Sequence, residues 1–148
     1  MKINITKDNA QFIVKEDEGK VICIFRDTAP LFLMYAQENL PIVPHCDTCD
    51  VSTSRLYRKL LMPNKFIGVA SCDPNDSFSV EKGKLIAFSK AKDKIQTSFF
   101  KRANTYINTI DEWTSRAVDS INTYGSKLER NTERRHNKIS ELIGEVDG

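Results

Sequence analysis

Proline is absent from residues 79–148, although five prolines occur before them. No pyrrolidine ring there removes a backbone donor, so nothing obliges a helix to kink or stop. Long hydrophobic runs are missing as well. No stretch approaches the roughly 18 apolar residues that a membrane-spanning helix needs. The opening Met-Lys-Ile-Asn-Ile-Thr lacks the apolar core of a signal peptide. A soluble, cytoplasmic protein with no membrane partner is therefore expected.

Glycine is scarce, six residues in 148, and no glycine-rich loop is available to cradle a phosphate. The two histidines, His45 and His136, are far apart, and no Ser/His/Asp series or close carboxylate pair stands out. No catalytic residues are assigned, and an enzyme is not expected. A strong excess of either charge is also lacking, the net charge being +2. Its distribution is uneven: residues 1–78 carry nine lysines and arginines against ten acids, and residues 79–148 carry thirteen against ten.

What the proline-free half does contain is a periodic stripe. Phe88, Ala91, Ile95, Phe99, Ala103, Tyr106, Ile110, Trp113, Ala117, Ile121, Tyr124 and Leu128 advance by threes and fours, close to the helical period of about 3.6. Such a helix outruns what a small domain can cover, so the stripe needs a second helix or another subunit. A homo-oligomer is expected, formed through Phe99, Tyr106, Ile110, Trp113, Ile121, Tyr124 and Leu128. A period near 3.6 keeps the stripe straight, which suits a hairpin or bundle better than a long two-stranded coiled coil. Ser79 is the expected N-cap, with Glu81 facing the positive end of the helix dipole. At Gly125-Ser126 two courses are open: the helix breaks there, since Ser126-x-x-Glu129 has the form of a new capping box, or it runs on.

The first third reads as short strands at 2–6, 11–15 and 20–26, the last two joined by Glu16-Asp17-Glu18-Gly19. Residues 30–36 are a further apolar run, and Pro41 and Pro44 keep 38–50 irregular. A short helix is expected over 52–61, a strand over 65–71, and a turn at Asp73-Pro74-Asn75-Asp76. The fold class is thus α+β. A small N-terminal antiparallel sheet with a short helix occupies residues 1–78, followed by a long C-terminal helix or helical hairpin over 79–148.

The sharpest chemical pattern is His45-Cys46-Asp47-Thr48-Cys49. Zinc accepts such a Cys-x-x-Cys pair, with His45 or Cys72 completing the shell and Cys23 as a further candidate. The pattern has one knuckle where zinc sites usually have two, and Cys23 and Cys72 stand where small buried strand residues belong. Structural zinc and ordinary reduced thiols both remain open, and no other cofactor is implied.

Basic residues form three groups. Arg55, Arg58 and Lys59 surround Tyr57. Lys82, Lys84, Lys90, Lys92, Lys94, Lys101 and Arg102 follow the helix start. Lys127, Arg130, Arg134, Arg135 and Lys138 lie near its end. Lys90, Lys94 and Lys101 fall nearly opposite the stripe, the ordinary place for a solvated face. From Glu129 to Lys138 no side chain is apolar, and Asn131 and Arg135 fall at stripe positions. Arg55, Arg58, Arg130, Arg134, Arg135 and Lys138 are the candidate binding residues, for a carboxylate or a phosphate surface.

The segment Gly68-Val-Ala-Ser-Cys72-Asp-Pro74-Asn-Asp76-Ser-Phe78-Ser-Val-Glu-Lys-Gly83-Lys-Leu-Ile-Ala87 resembles a strand, turn and helix start found in small uncharacterised proteins of phages and prophages of Gram-positive bacteria. That resemblance implies a short viral protein acting in the host cytoplasm by binding a host protein, with no catalytic residues to carry over. The expected function is a non-enzymatic interaction module, and the resemblance implies a phage-encoded inhibitor of a host or defence protein. The alternative is a nucleic-acid-binding accessory protein, against which the modest charge and the absence of an exposed aromatic platform count.

Overall fold

The computed structural model describes residues 5–41 and 51–146, with residues 51–54 described by backbone alone. After a short 3-10 turn at Lys7–Asn9 come strand β1 (Gln11–Lys15), strand β2 (Lys20–Arg26), helix α1 (Leu31–Asn39), helix α2 (Val51–Leu60), strand β3 (Lys65–Ser71) and helix α3 (Val80–Val146). The class is α+β, with an antiparallel sheet in the order β1-β2-β3. The chain divides into two compact units, Met1–Ile107 and Asn108–Gly148. The sequence places its boundary at 78/79. The division lies inside α3 because that helix's first turns bury Ala87, Ala91 and Ile95 with the sheet.

In the first unit, β1 and β2 form a hairpin closed by Gly19, whose φ of +58° suits a residue without a Cβ. The Gly19 N–H donates to the Glu16 carbonyl at 3.0 Å. Glu18 accepts from Lys15 at 2.8 Å and Lys20 at 2.9 Å across the turn. Those two hydrogen bonds, that from Lys15 first, hold its carboxyl down at about 2. Strand β2 is buried along Val21, Cys23 and Phe25, which pair with Ala70, Gly68 and Phe66 of β3. Burial pushes the Cys23 thiol up from its ordinary pKa.

Two glycines bring α3 down onto this face. A Cβ on Gly68 would stand 2.0 Å from the Ala87 carbonyl oxygen and 2.6 Å from the Ala91 nitrogen, so the helix backbone lies directly on β3. A Cβ on Gly83 would stand 2.5 Å from Cγ2 of Val21. Phe88 then meets Phe25, ring centroids 5.8 Å apart.

Helix α1 covers the region beside this contact. Its Phe32 and Tyr35 rings lie 4.9 and 5.2 Å from Phe99 of α3. Leu56 and Leu60 of α2 are buried, and Arg102 donates from Nε to the Leu61 carbonyl at 2.7 Å. The turn before α3 is an Asx turn, with the Asn75 N–H donating to Asp73 Oδ1 at 2.9 Å. The Ser79 hydroxyl accepts the Lys82 N–H at 3.5 Å, as expected of an N-cap.

Two sequence expectations change, and the apolar run at 30–36, to which the sequence assigns no element, takes a form. Residues 2–4 lie outside the described residues, and Ile5 and Thr6 belong to no strand. Residues 31–39 form a helix. Finally, Lys90 and Lys94 are not simply solvated: their ammonium groups donate to the Val69 and Ile67 carbonyls at 3.0 and 2.7 Å. Their stems reach back to β3, which among the described residues is an edge strand with no neighbour on its outer side. Lys90→Ala with Lys94→Ala should lower the unfolding free energy of the first unit by about 1 kcal/mol and leave the edge open to aggregation. Urea denaturation and light scattering measure the two effects.

Helix α3 passes through Gly125 without a break. A Cβ there would meet nothing within 4 Å, so the glycine serves no close contact, and the residues around it stay helical. No helix among the described residues is long and apolar enough to cross a membrane.

Candidate interaction surface

The oligomerisation stripe read from the sequence has two fates. Phe99 packs on α1, and Tyr106 is buried within the first unit. In the second unit, Ile110 and Trp113 are half-buried, whereas Ile121 is 70% exposed, Tyr124 64% and Leu128 47%. Val118, which was not singled out from the sequence, is 49% exposed and borders the stripe between Ala117 and Ile121. Its position four residues after Thr114 and three before Ile121 was the available signal. Further along, Ile139, Leu142, Ile143 and Val146 are also exposed and line one shallow apolar patch.

Helical geometry explains why these side chains share a face. Residues seven apart return to nearly the same direction, with a drift of about 20°. Ile110, Ala117, Tyr124 and Asn131 form one such series; Thr114, Ile121, Leu128 and Arg135 form the other. A face of this width is apolar enough to need cover and too long for its own helix to supply any.

The basic candidates fall into separate places. On α2, Arg55, Arg58 and Lys59 are exposed, Tyr57 is half-buried, and Leu56 and Leu60 point into the core. On α3, Arg130, Arg134, Arg135 and Lys138 are all exposed. Arg135 continues the stripe, and Lys138 follows Asn131 by seven residues. Arg130 lies off that face, and its Nε donates to the Ser126 carbonyl at 3.3 Å. Glu129 and Glu133 interrupt the basic run, so the end of α3 is mixed in charge despite its arginines.

His45, Cys46 and Cys49 lie outside the described residues. Cys72 is half-exposed, and its thiol donates to the Asp73 and Asp76 carbonyls at 3.4 and 3.5 Å. Among the described residues no three His, Cys, Asp or Glu side chains gather as a metal-holding group. A groove of about 310 Å³ opens beside Cys72, bordered by Asp73, Asp76, Phe78, Ser79 and Lys82. Its thiol is tied to backbone carbonyls and its acids are exposed.

No protein-family model, curated protein or solved structure matches the chain. The functional reading therefore rests on these surfaces themselves.

Proposed function

We propose that this chain is a non-enzymatic protein-interaction module that associates with its own copies through α3 and holds another protein on exposed basic residues. The observation that carries the proposal is the exposed run Val118, Ile121, Tyr124 and Leu128 on a single helical face. Covering such side chains contributes about 1.5–3 kcal/mol for each one fully buried, and a second helix is the simplest cover. Arg55 and Arg58 project from α2 opposite its buried leucines, and Arg130 projects from α3. Their guanidinium groups suit bidentate recognition of surface carboxylates. The likeness of residues 68–87 to phage and prophage proteins supports a setting in which the partner is a host or defence protein and the chain its inhibitor.

Affinity capture of the tagged chain from a nuclease-treated host lysate tests this reading. One stoichiometric protein is expected, and Arg55→Glu with Arg58→Glu should reduce its recovery about tenfold, with an unchanged thermal midpoint. Recovery unaffected by the double substitution would contradict the assignment of these arginines. Binding of nucleic acid that weakens steeply with salt would favour the accessory-protein alternative.

A further inference from the structure

We infer that two copies of the chain pair antiparallel along residues 110–135 of α3, in a register that sets apolar residues on apolar ones and polar on polar. The inference rests on the self-association reading and adds its direction and its contacts. Over the whole helix the apolar period is close to 3.6, but Phe99 and Tyr106 belong to the core of the first unit. Of the residues left to pair, Ile110, Ala117, Ile121, Tyr124 and Leu128 fall on the two seven-residue series described above, with Thr114, Asn131 and Arg135 as their polar members and Trp113 at their border. Such a repeat is the seam of a two-stranded coiled coil.

Charge decides the direction. Residues 108–123 carry Asp111, Glu112 and Asp119 against the single Arg116. Residues 124–140 carry Lys127, Arg130, Arg134, Arg135 and Lys138 against Glu129 and Glu133. Parallel copies would lay like on like in both halves. Antiparallel copies lay the acidic half of each on the basic half of the other, and they also oppose the two helix dipoles.

Size and polarity decide the register. With Ile121 set against Tyr124 of the second copy, Ala117 meets Leu128, Thr114 meets Asn131, and Ile110 meets the stem of Arg135. Each layer occurs twice. The small Ala117 faces the larger Leu128, and the Thr114 hydroxyl faces the Asn131 amide, so these two polar groups have partners. Trp113 and Arg134, which flank the seam, then face each other as a cation–π pair. In parallel register every residue meets itself: Ala117 on Ala117 leaves a gap, and Arg135 on Arg135 repels. Arg134 and Arg135 accordingly belong to the pairing surface, leaving Arg55, Arg58 and Arg130 for another protein.

Cysteine crosslinking of the full chain tests the arrangement. Chains carrying Ala117→Cys are mixed with chains carrying Leu128→Cys and oxidised, and the joined peptides are mapped by mass spectrometry, which separates them from links through native cysteines. Circular dichroism of each variant checks that helix content is unchanged. The expected product joins position 117 to position 128, and each variant oxidised alone yields little linked dimer through the new thiol. Predominant 117–117 and 128–128 products from a dimer would overturn the antiparallel arrangement while leaving self-association standing. A monomer in sedimentation at every concentration would overturn both.

Discussion

Gly68→Ala should lower the stability of the first unit by about 3 kcal/mol, at the upper end of what overpacking costs, and its thermal midpoint by about 12 °C or more. The added methyl would meet backbone rather than a side chain: the Ala87 carbonyl oxygen at 2.0 Å and the Ala91 nitrogen at 2.6 Å. No rotamer change relieves such a contact, so α3 must lift from β3. The lift loosens the seating of Gly83 on Val21 and of Phe88 on Phe25. Gly125→Ala supplies the contrast. Its methyl meets nothing within 4 Å, and alanine is preferred over glycine inside a helix by about 1 kcal/mol, so helix content should rise. Thermal unfolding followed by circular dichroism measures both variants. A neutral Gly68→Ala would mean that the helix does not rest on β3 as described.

Ile121→Asp should weaken self-association by about a hundredfold or more while leaving the first unit's stability unchanged. Ile121 is 70% exposed in the single chain, so a carboxylate there costs the monomer little. In the pair it sits in the central layer and occurs twice, each time placing a charge in an apolar contact. The variant therefore separates folding from assembly. Sedimentation of the variant beside the unaltered chain reads the loss, and equal dimer populations would exclude Ile121 from the seam.

Much of the architecture is legible in the residues. Strands β1, β2 and β3 stand out because Val, Ile and Phe concentrate between turn residues, and Gly19 marks the hairpin. The long helix follows from the absence of proline and the steady apolar period. Helix α1 is harder to read because its exposed face begins with the apolar Met34 and turns polar only at Gln37 and Glu38. The first six residues are therefore a continuous apolar run with no helical period to see.

The interaction surface was legible as a stripe but not in its division. Periodicity reports that a face is apolar without reporting what covers it, so Phe99 on α1 and Ile121 in the open look alike in the sequence. Lys90 and Lys94 show the related limit of a helical wheel. It gives the angle of a side chain about the axis, while the reach of a four-carbon stem brings the ammonium to the Val69 and Ile67 carbonyls. The seven-residue series over 110–135 takes Thr114 in place of the neighbouring Trp113 and extends to the polar Asn131 and Arg135. Apolar periodicity alone therefore does not mark it.

The most direct test of the account is sedimentation equilibrium of the full chain across a wide concentration range at low and moderate salt. The account predicts a reversible dimer that dissociates on dilution and weakens as salt screens the opposed acidic and basic halves. A monomer throughout would contradict it, because the exposed face of Val118, Ile121, Tyr124 and Leu128 would then not be covered by a second copy of this chain.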